Sequence, residues 1–244
     1  MLSPETVNAY VDILREELIP ATGCTEPIAI AYAAALLRRT LGAAPERVLA
    51  EVSGNIIKNV KSVIVPNTGG LKGIQAAVAA GVVAGKADQL LQVISDVPEA
   101  ARADIARYAR ETPIQVECAH TPRLLDIRLS GWAGEHTALV HIADSHSNVV
   151  RVERDGQVLE EKSLADSGGG DKERRMSVED ILAFAREVDL SLVSDLLDRQ
   201  IEYNSAIAAE GLAGDWGANI GSVLLGDWPA DIKTEAKAWA AAGS

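Results

Sequence analysis

The chain has 244 residues, 48% of them hydrophobic and 24% charged, which excludes a disordered or collagen-like polymer and leaves room for one large domain or two small ones. Its 23 basic against 35 acidic residues give a net charge of −12. That balance excludes general binding to nucleic acid or to an anionic membrane, because phosphate contacts need clustered Lys and Arg.

With one Phe, four Trp and four Tyr, the core has to be built from Ala, Val, Ile and Leu. Two cysteines, Cys24 and Cys118, cannot build a disulfide framework, so a reducing, cytoplasmic setting is expected. The first residues show no basic stretch followed by an apolar one, so no secretory signal is read. The longest apolar run, Ile28 to Leu37, is too short to span a bilayer.

Ser3-Pro4 opens a helix as N-cap and first-turn proline, and Val7, Tyr10, Val11, Leu14 and Leu18 give it an apolar face that Pro20 ends. A second helix runs from Thr25 to about Leu41; it is apolar on all sides and should be buried. Arg47 to Val52 reads as a short strand. Asn55 to Ile64 reads as a helix with Ile56, Ile57, Val60 and Ile64 inward and Asn55, Lys58, Asn59 and Ser62 on the other face. Pro66 to Gly70 is a loop, Leu71 to Gly85 a helix, and Gln89 to Glu111 helical with a break near Pro98. From Pro113 to Leu164 the period changes to two, with turns at Gly131 to Gly134 and Asp155-Gly156, which predicts an antiparallel meander. Ser167 to Arg175 reads as a mobile Gly-rich linker. Ser177 to Asp180 is a capping box, Asp189 to Glu210 a longer helix closed by Gly211, and the tail from Trp216 is weakly patterned. The expected class is therefore α+β. It divides into a helical region over 1–112 with the Cys24 motif, an antiparallel sheet over 113–164, a linker over 165–176 and a helical region over 177–244.

Four segments carry residue types with chemistry in them. Cys24 stands just before the buried helix, where unpaired N–H groups and the helix dipole favour a thiolate that could act as a nucleophile or a metal ligand. Glu26 falls in that helix's first turn. The alternative is a small inert cysteine with Thr25 as the N-cap. The Asn55/Lys58/Asn59/Ser62 face could hold a substrate carboxylate, or be a solvated helix face. Backbone N–H groups of Pro66-Asn67-Thr68-Gly69-Gly70 could cradle an anion, or form a plain turn; a Walker loop's Gly-Lys-Ser/Thr ending is missing. His146, in the polar turn Asp144 to Asn148, has the makings of an acid/base group or of a surface turn residue. His136 and His141 read as ordinary strand residues. There is no two-His motif and no CxxC, hence no self-sufficient metal site.

In order, Gly23-Cys24-Thr25-Glu26-Pro27, Ser53 to Asn59, Val65 to Ile74, Asp144 to Val150 and Glu210 to Gly221 resemble the iron–sulfur L-cysteine desulfidases, relatives of the bacterial L-serine dehydratase alpha chain. The resemblance covers nearly the whole chain. It implies a lyase that converts L-cysteine to hydrogen sulfide, ammonia and pyruvate with a 4Fe–4S cluster. It places Cys24 at the cluster as ligand or base, and Lys58, Asn59, Thr68, Gly69 and His146 around the substrate. Glu26, Asn55, Asn67, Gly70 and Asn148 complete the expected substrate-binding set, with Cys24, Lys58 and His146 catalytic and Cys24 the metal ligand.

That family continues for roughly as much sequence again, with the other cluster cysteines in its second half. A cluster takes three or four cysteines, and this chain has two, with Cys118 outside any matched motif. The resemblance therefore implies the N-terminal half of such an enzyme, with no complete cluster on this chain alone. The expected partners are an amino-acid substrate, a missing C-terminal half or second subunit, and further copies of the chain, with no nucleic acid and no membrane. Alternatives are a serine dehydratase-like deaminase, or a catalytically silent amino-acid-binding or assembly domain.

Overall fold

The computed structural model describes residues 2–162, 176–227 and 231–243. The chain is α+β, as its periodicity implied, and divides into two compact units: residues 20–162, and residues 2–19 with 176–243.

The first unit is organised around α2 (Thr25–Leu41). Ile28, Ile30 and Leu37 on it are fully buried, each contributing about 1.5–3 kcal/mol by leaving water. Gly42 ends the helix in the left-handed conformation (φ 81°) that a C-terminal cap requires. Chain then runs through β1 (Arg47–Val52), α3 (Gly54–Val60), α4 (Gly73–Ala84), a 3-10 turn (Ala87–Gln92) and α5 (Ala101–Glu111). Five strands follow: β2 (Ile114–Cys118), β3 (Asp126–Ala133), β4 (His136–Ala143), β5 (Val149–Arg154) and β6 (Gln157–Glu161).

One six-stranded sheet results, in the order β2-β1-β3-β4-β5-β6. It is mixed rather than purely antiparallel, because β1 pairs in parallel with β2. A parallel neighbour needs a long crossover, and the helices α3 to α5 supply it. The remaining pairs are antiparallel, joined in the last case by a turn with Asp155 and Gly156 both at positive φ. Val48, Ala50, Val52, Ile127, Leu129, Val140 and Ile142 form the fully buried face of the sheet. α2 lies against β3 and β4, so close that a Cβ on Gly131 would come within 2.8 Å of Leu37 Cδ2. α4 packs on α2 more tightly still, with a Cβ on Gly81 meeting the Ala31 carbonyl oxygen at 2.1 Å. Arg38 closes that helix pair, donating to the carbonyls of Val82 (2.8 Å) and Gly85 (2.7 Å) at the end of α4.

Two segment expectations of this unit change. The helix expected to run to Ile64 stops at Val60, and Ile64 is 55% exposed. Residues just before Pro66 avoid helical backbone, and Ile64 bridges Lys72 instead, closing the loop between them. Gln89 to Glu111 divides into the 3-10 turn and α5. The C-terminal region is helical where it is described, as expected.

In the second unit, α1 (Pro4–Glu17) starts at Ser3, whose hydroxyl accepts from Thr6 N–H. α6 (Val178–Glu187) starts at Ser177, which accepts from Asp180 N–H as the capping pattern implied. A short 3-10 turn (Leu190–Leu192) precedes α7 (Ser194–Ala213), which ends at Gly214 rather than Gly211. α8 (Ile220–Asp227) and α9 (Ile232–Ala242) follow. Tyr10 and Phe184 pack edge to face, 5.3 Å between ring centres. The linker expected over 165–176 lies outside the described residues apart from Met176.

Candidate functional site

The residues of the Gly-Cys-Thr-Glu-Pro segment meet residues from two other parts of the first unit. Cys24, not Thr25, is the N-cap of α2; its backbone is extended and its side chain makes no cap bond. Its thiol donates instead to Glu26 Oε2 at 3.0 Å. The other carboxylate oxygen, Oε1, accepts from Asn59 Nδ2 of α3 at 3.1 Å. His146, half-buried in the β4–β5 turn, lies within the electrostatic reach of the same carboxylate. Thiol, carboxylate and amide thus meet from two segments, and the imidazole of a third lies in the carboxylate's field.

Their protonation follows from these surroundings. The Cys24–H bond holds Glu26 below the usual carboxylate range against the opposing pull of burial, helped by Asn59 and the His146 charge. Burial pushes the Cys24 thiol up, and the bond and negative charge of Glu26 push it further. The thiolate expected from the helix dipole is therefore disfavoured, because burial and the adjacent carboxylate together outweigh a partial charge. Burial lowers His146, with Glu26 pulling partly the other way.

Lys58 is exposed and makes no ion pair among the described residues; Asn55, one turn before Asn59, is half-buried on the same face. The Pro66 to Gly70 loop adjoins the Cys24 loop, since a Cβ on Gly23 (φ 82°) would come within 3.2 Å of Pro66 Cγ. Its polar side chains hold backbone. Asn67 Nδ2 donates to the carbonyls of Ile94 (3.0 Å) and Ser95 (3.1 Å), and buried Thr68 Oγ1 donates to the Val65 carbonyl at 2.7 Å. Gly69 and Gly70 form the exposed tip at φ 76° and 91°, a conformation glycine adopts without strain. Asn148 Nδ2 closes the His146 turn by donating to the Ala143 carbonyl at 3.0 Å.

A second polar group went unrecognised in the sequence. His141, read as an ordinary strand residue, is 5% exposed and its Nε2 bonds Asp126 Oδ1 at 2.9 Å. Thr121 Oγ1 donates to Asp126 Oδ2 at 3.0 Å. Both residues point away from the helices, into a cleft of about 470 Å³ on the other face of the sheet. The usable signal was parity: Asp126 and Arg128 alternate with Ile127 and Leu129, as His141 alternates with Val140 and Ile142.

No protein-family model matches the chain, and no solved structure matches it. It is similar to curated bacterial proteins. A UPF0597 protein of Desulfitobacterium hafniense is 49% identical over 239 residues, covering 97% of this chain and 56% of that protein. One of Lachnoclostridium phytofermentans is 43% identical over 96% of this chain and 56% of its own length. One of Treponema denticola is 42% identical over 88% and 51%.

These relatives overturn the resemblance to the iron–sulfur L-cysteine desulfidases, and with it the reading of the chain as one's N-terminal half. The name matched across almost all of the chain is UPF0597, which states no reaction. The physical reason lies in the motifs: much of Val65 to Ile74 and Asp144 to Val150 serves to build turns, as the bonds of Asn67, Thr68 and Asn148 show. Nor do the residues fit a 4Fe–4S cluster. Both cysteines are exposed, Cys24 bonds a carboxylate, and among the described residues no three His, Cys, Asp or Glu group as ligands. No described helix is long and apolar enough to cross a membrane. The chain's relatives are UPF0597 proteins, and it spans little more than half of their length.

Proposed function

We propose that the Cys24–Glu26–Asn59–His146 site takes a small α-amino acid and eliminates its β substituent. L-Cysteine would give sulfide, ammonia and pyruvate; L-serine would lose water and give ammonia and pyruvate. The observation that carries this reading is the shared carboxylate. Glu26 accepts from Cys24 at 3.0 Å and from Asn59 at 3.1 Å, with His146 in its field, so an acid and a base are assembled at one accessible place.

Lys58 and the amides of Asn55 and Asn59 are the donors for the substrate carboxylate. His146, kept neutral by burial, takes the α-proton. The Cα–H electron pair forms the Cα–Cβ double bond and the Cβ–S bond breaks. Cys24, kept protonated, gives its proton to the departing sulfide. The aminoacrylate tautomerises to the imine, which water hydrolyses to pyruvate and ammonia. Solvent returns a proton to Cys24 and takes one from His146. Glu26 positions Cys24 and Asn59 and opposes the positive charge forming on His146.

The test is release of sulfide and pyruvate from L-cysteine, and of pyruvate from L-serine, by this chain and by the full-length Desulfitobacterium hafniense relative. Turnover that falls at least a hundredfold in Cys24→Ala and His146→Gln supports the reading. Turnover unchanged in both variants, or calorimetric binding of either amino acid with no product, overturns it; the latter is the behaviour of a silent binding module.

A further inference from the structure

The sheet's polar face carries a second arrangement that the elimination site does not use. Strand register places Glu117, Glu51, Arg128 and His141 side by side in one row across β2, β1, β3 and β4. Neighbours in such a row have Cβ atoms about 5 Å apart. All four line the cleft of about 470 Å³.

Glu117 and Glu51 are negative and Arg128 positive, and Arg128 makes no ion pair with either glutamate among the described residues. Glu51 and Glu117 are like charges on adjacent strands, an unfavourable pairing. Arg128 stands directly opposite Glu51, yet neither makes an ion pair or hydrogen bond among the described residues. Arg128 is half-buried, so water solvates its guanidinium only in part. Beside it, the Asp126–His141 pair is held by Thr121, which fixes the imidazole plane. Among the described residues nothing bonds His141 Nδ1.

The cleft is also lined by Asp126, held by His141 and Thr121, and by Arg123, paired with Asp144, so a simple anion would face Glu51 and Glu117 and a simple cation would face Arg128. A molecule with both charged groups on one carbon satisfies the row at once: its carboxylate on Arg128, its ammonium on Glu51 and Glu117. Side chains on strands about 4.8 Å apart can close on handles carried by one carbon. We propose that this cleft is a second, separate binding site for a free α-amino acid, read out by Glu51, Glu117 and Arg128 and walled by the fixed His141.

L-Alanine tests this, because it has both handles and no β group to eliminate. Titration calorimetry on the whole chain compares L-alanine with acetate and methylammonium, which carry one handle each. The expected result is binding of L-alanine and of neither single-handle ion at a component that Arg128→Gln and Glu51→Gln each weaken at least tenfold and that Lys58→Ala, which removes the first site's carboxylate donor, leaves in place. If Arg128→Gln fails to fold, Glu51→Gln carries the measurement. No binding at millimolar L-alanine, equal binding of acetate, or binding insensitive to both cleft variants overturns the proposal. So does loss of that component in Lys58→Ala, which would assign the amino acid to the first site. Loss of sulfide or pyruvate production, by contrast, bears only on the elimination reading.

Discussion

Asn59 and Glu26 join the two helices that frame the first site: Asn59 Nδ2 donates to Glu26 Oε1 at 3.1 Å, while the Cys24 thiol occupies the other oxygen. The carboxylate is one of the causes that keep the thiol protonated. Glu26→Gln removes the charge and leaves the shape. Alkylation of Cys24 by iodoacetamide at neutral pH should then speed up roughly three- to tenfold, since the thiolate is the reactive form. Mass spectrometry separates Cys24 from Cys118. A rate that stays the same or drops would mean that Glu26 does not hold the proton on sulfur.

The same carboxylate shapes the expected pH profile of elimination. Burial lowers His146, so the base stays deprotonated to more acidic pH than an ordinary imidazole and the acid limb of kcat/KM shifts down. Burial and Glu26 raise Cys24, so the alkaline limb shifts up. Because Glu26 pulls His146 upward, Glu26→Gln should move the acid limb lower still. A profile measured from about pH 5 to 10 checks both limbs; an acid limb moving upward in the variant contradicts the assignment of His146.

Asp126 bears on stability rather than on elimination. Burial pushes its carboxyl up, but the bond and charge of His141, with Thr121, win, and the net shift is downward. A carboxylate held lower in the folded than in the unfolded state adds stability above its unfolded pKa of about 3.9. That contribution is lost as pH falls through the folded value. Asp126→Asn should cost about 2–4 kcal/mol at neutral pH, because it leaves a buried imidazole without its charged partner. Urea unfolding should show the gap between wild type and variant narrowing toward pH 3 or so; a constant gap would point to packing instead.

Much of the fold was readable because burial writes itself into periodicity. A helix apolar on every side, such as Thr25 to Leu41, has one place to go, and its bounds agree with the structure. Strand alternation found β2 to β5 but could not reveal that β1 joins the same sheet beside β2. Parallel pairing depends on where a crossover returns, which no local pattern encodes. The first site was legible as separate pieces: Cys24, Glu26, Asn59 and His146 each stood out locally, and the sequence could not say that Glu26 joins them. The direction of the Cys24 shift was missed because a helix dipole can be read from position alone, whereas the burial of the thiol and a carboxylate turned back onto its own cap cannot. Asp126 and His141 were passed over because a polar residue on a strand's outward face looks solvated until a loop such as that of Thr121 covers it.

The contact between α2 and α4 allows a sharper stability test. Gly81→Ala would ordinarily stabilise a helix by up to about 1 kcal/mol. Here the new methyl would sit 2.1 Å from the Ala31 carbonyl oxygen, so the helices must separate. A net loss of about 2–3 kcal/mol is expected. Gly42→Ala, where nothing lies within 4 Å, should cost only about 1–2 kcal/mol for its positive φ. Thermal or urea unfolding of the two variants ranks them; equal losses would show that α2 and α4 yield freely.

A seam of this kind, with Gly81 against Ala31 and Ala34, has already reached the smallest side chains available. Elsewhere in a protein interior an enlargement on one side can be matched by a trim on the other, and lineages wander along such paired exchanges. Along this line the partner has almost nothing to give up, so drift is blocked at its first step.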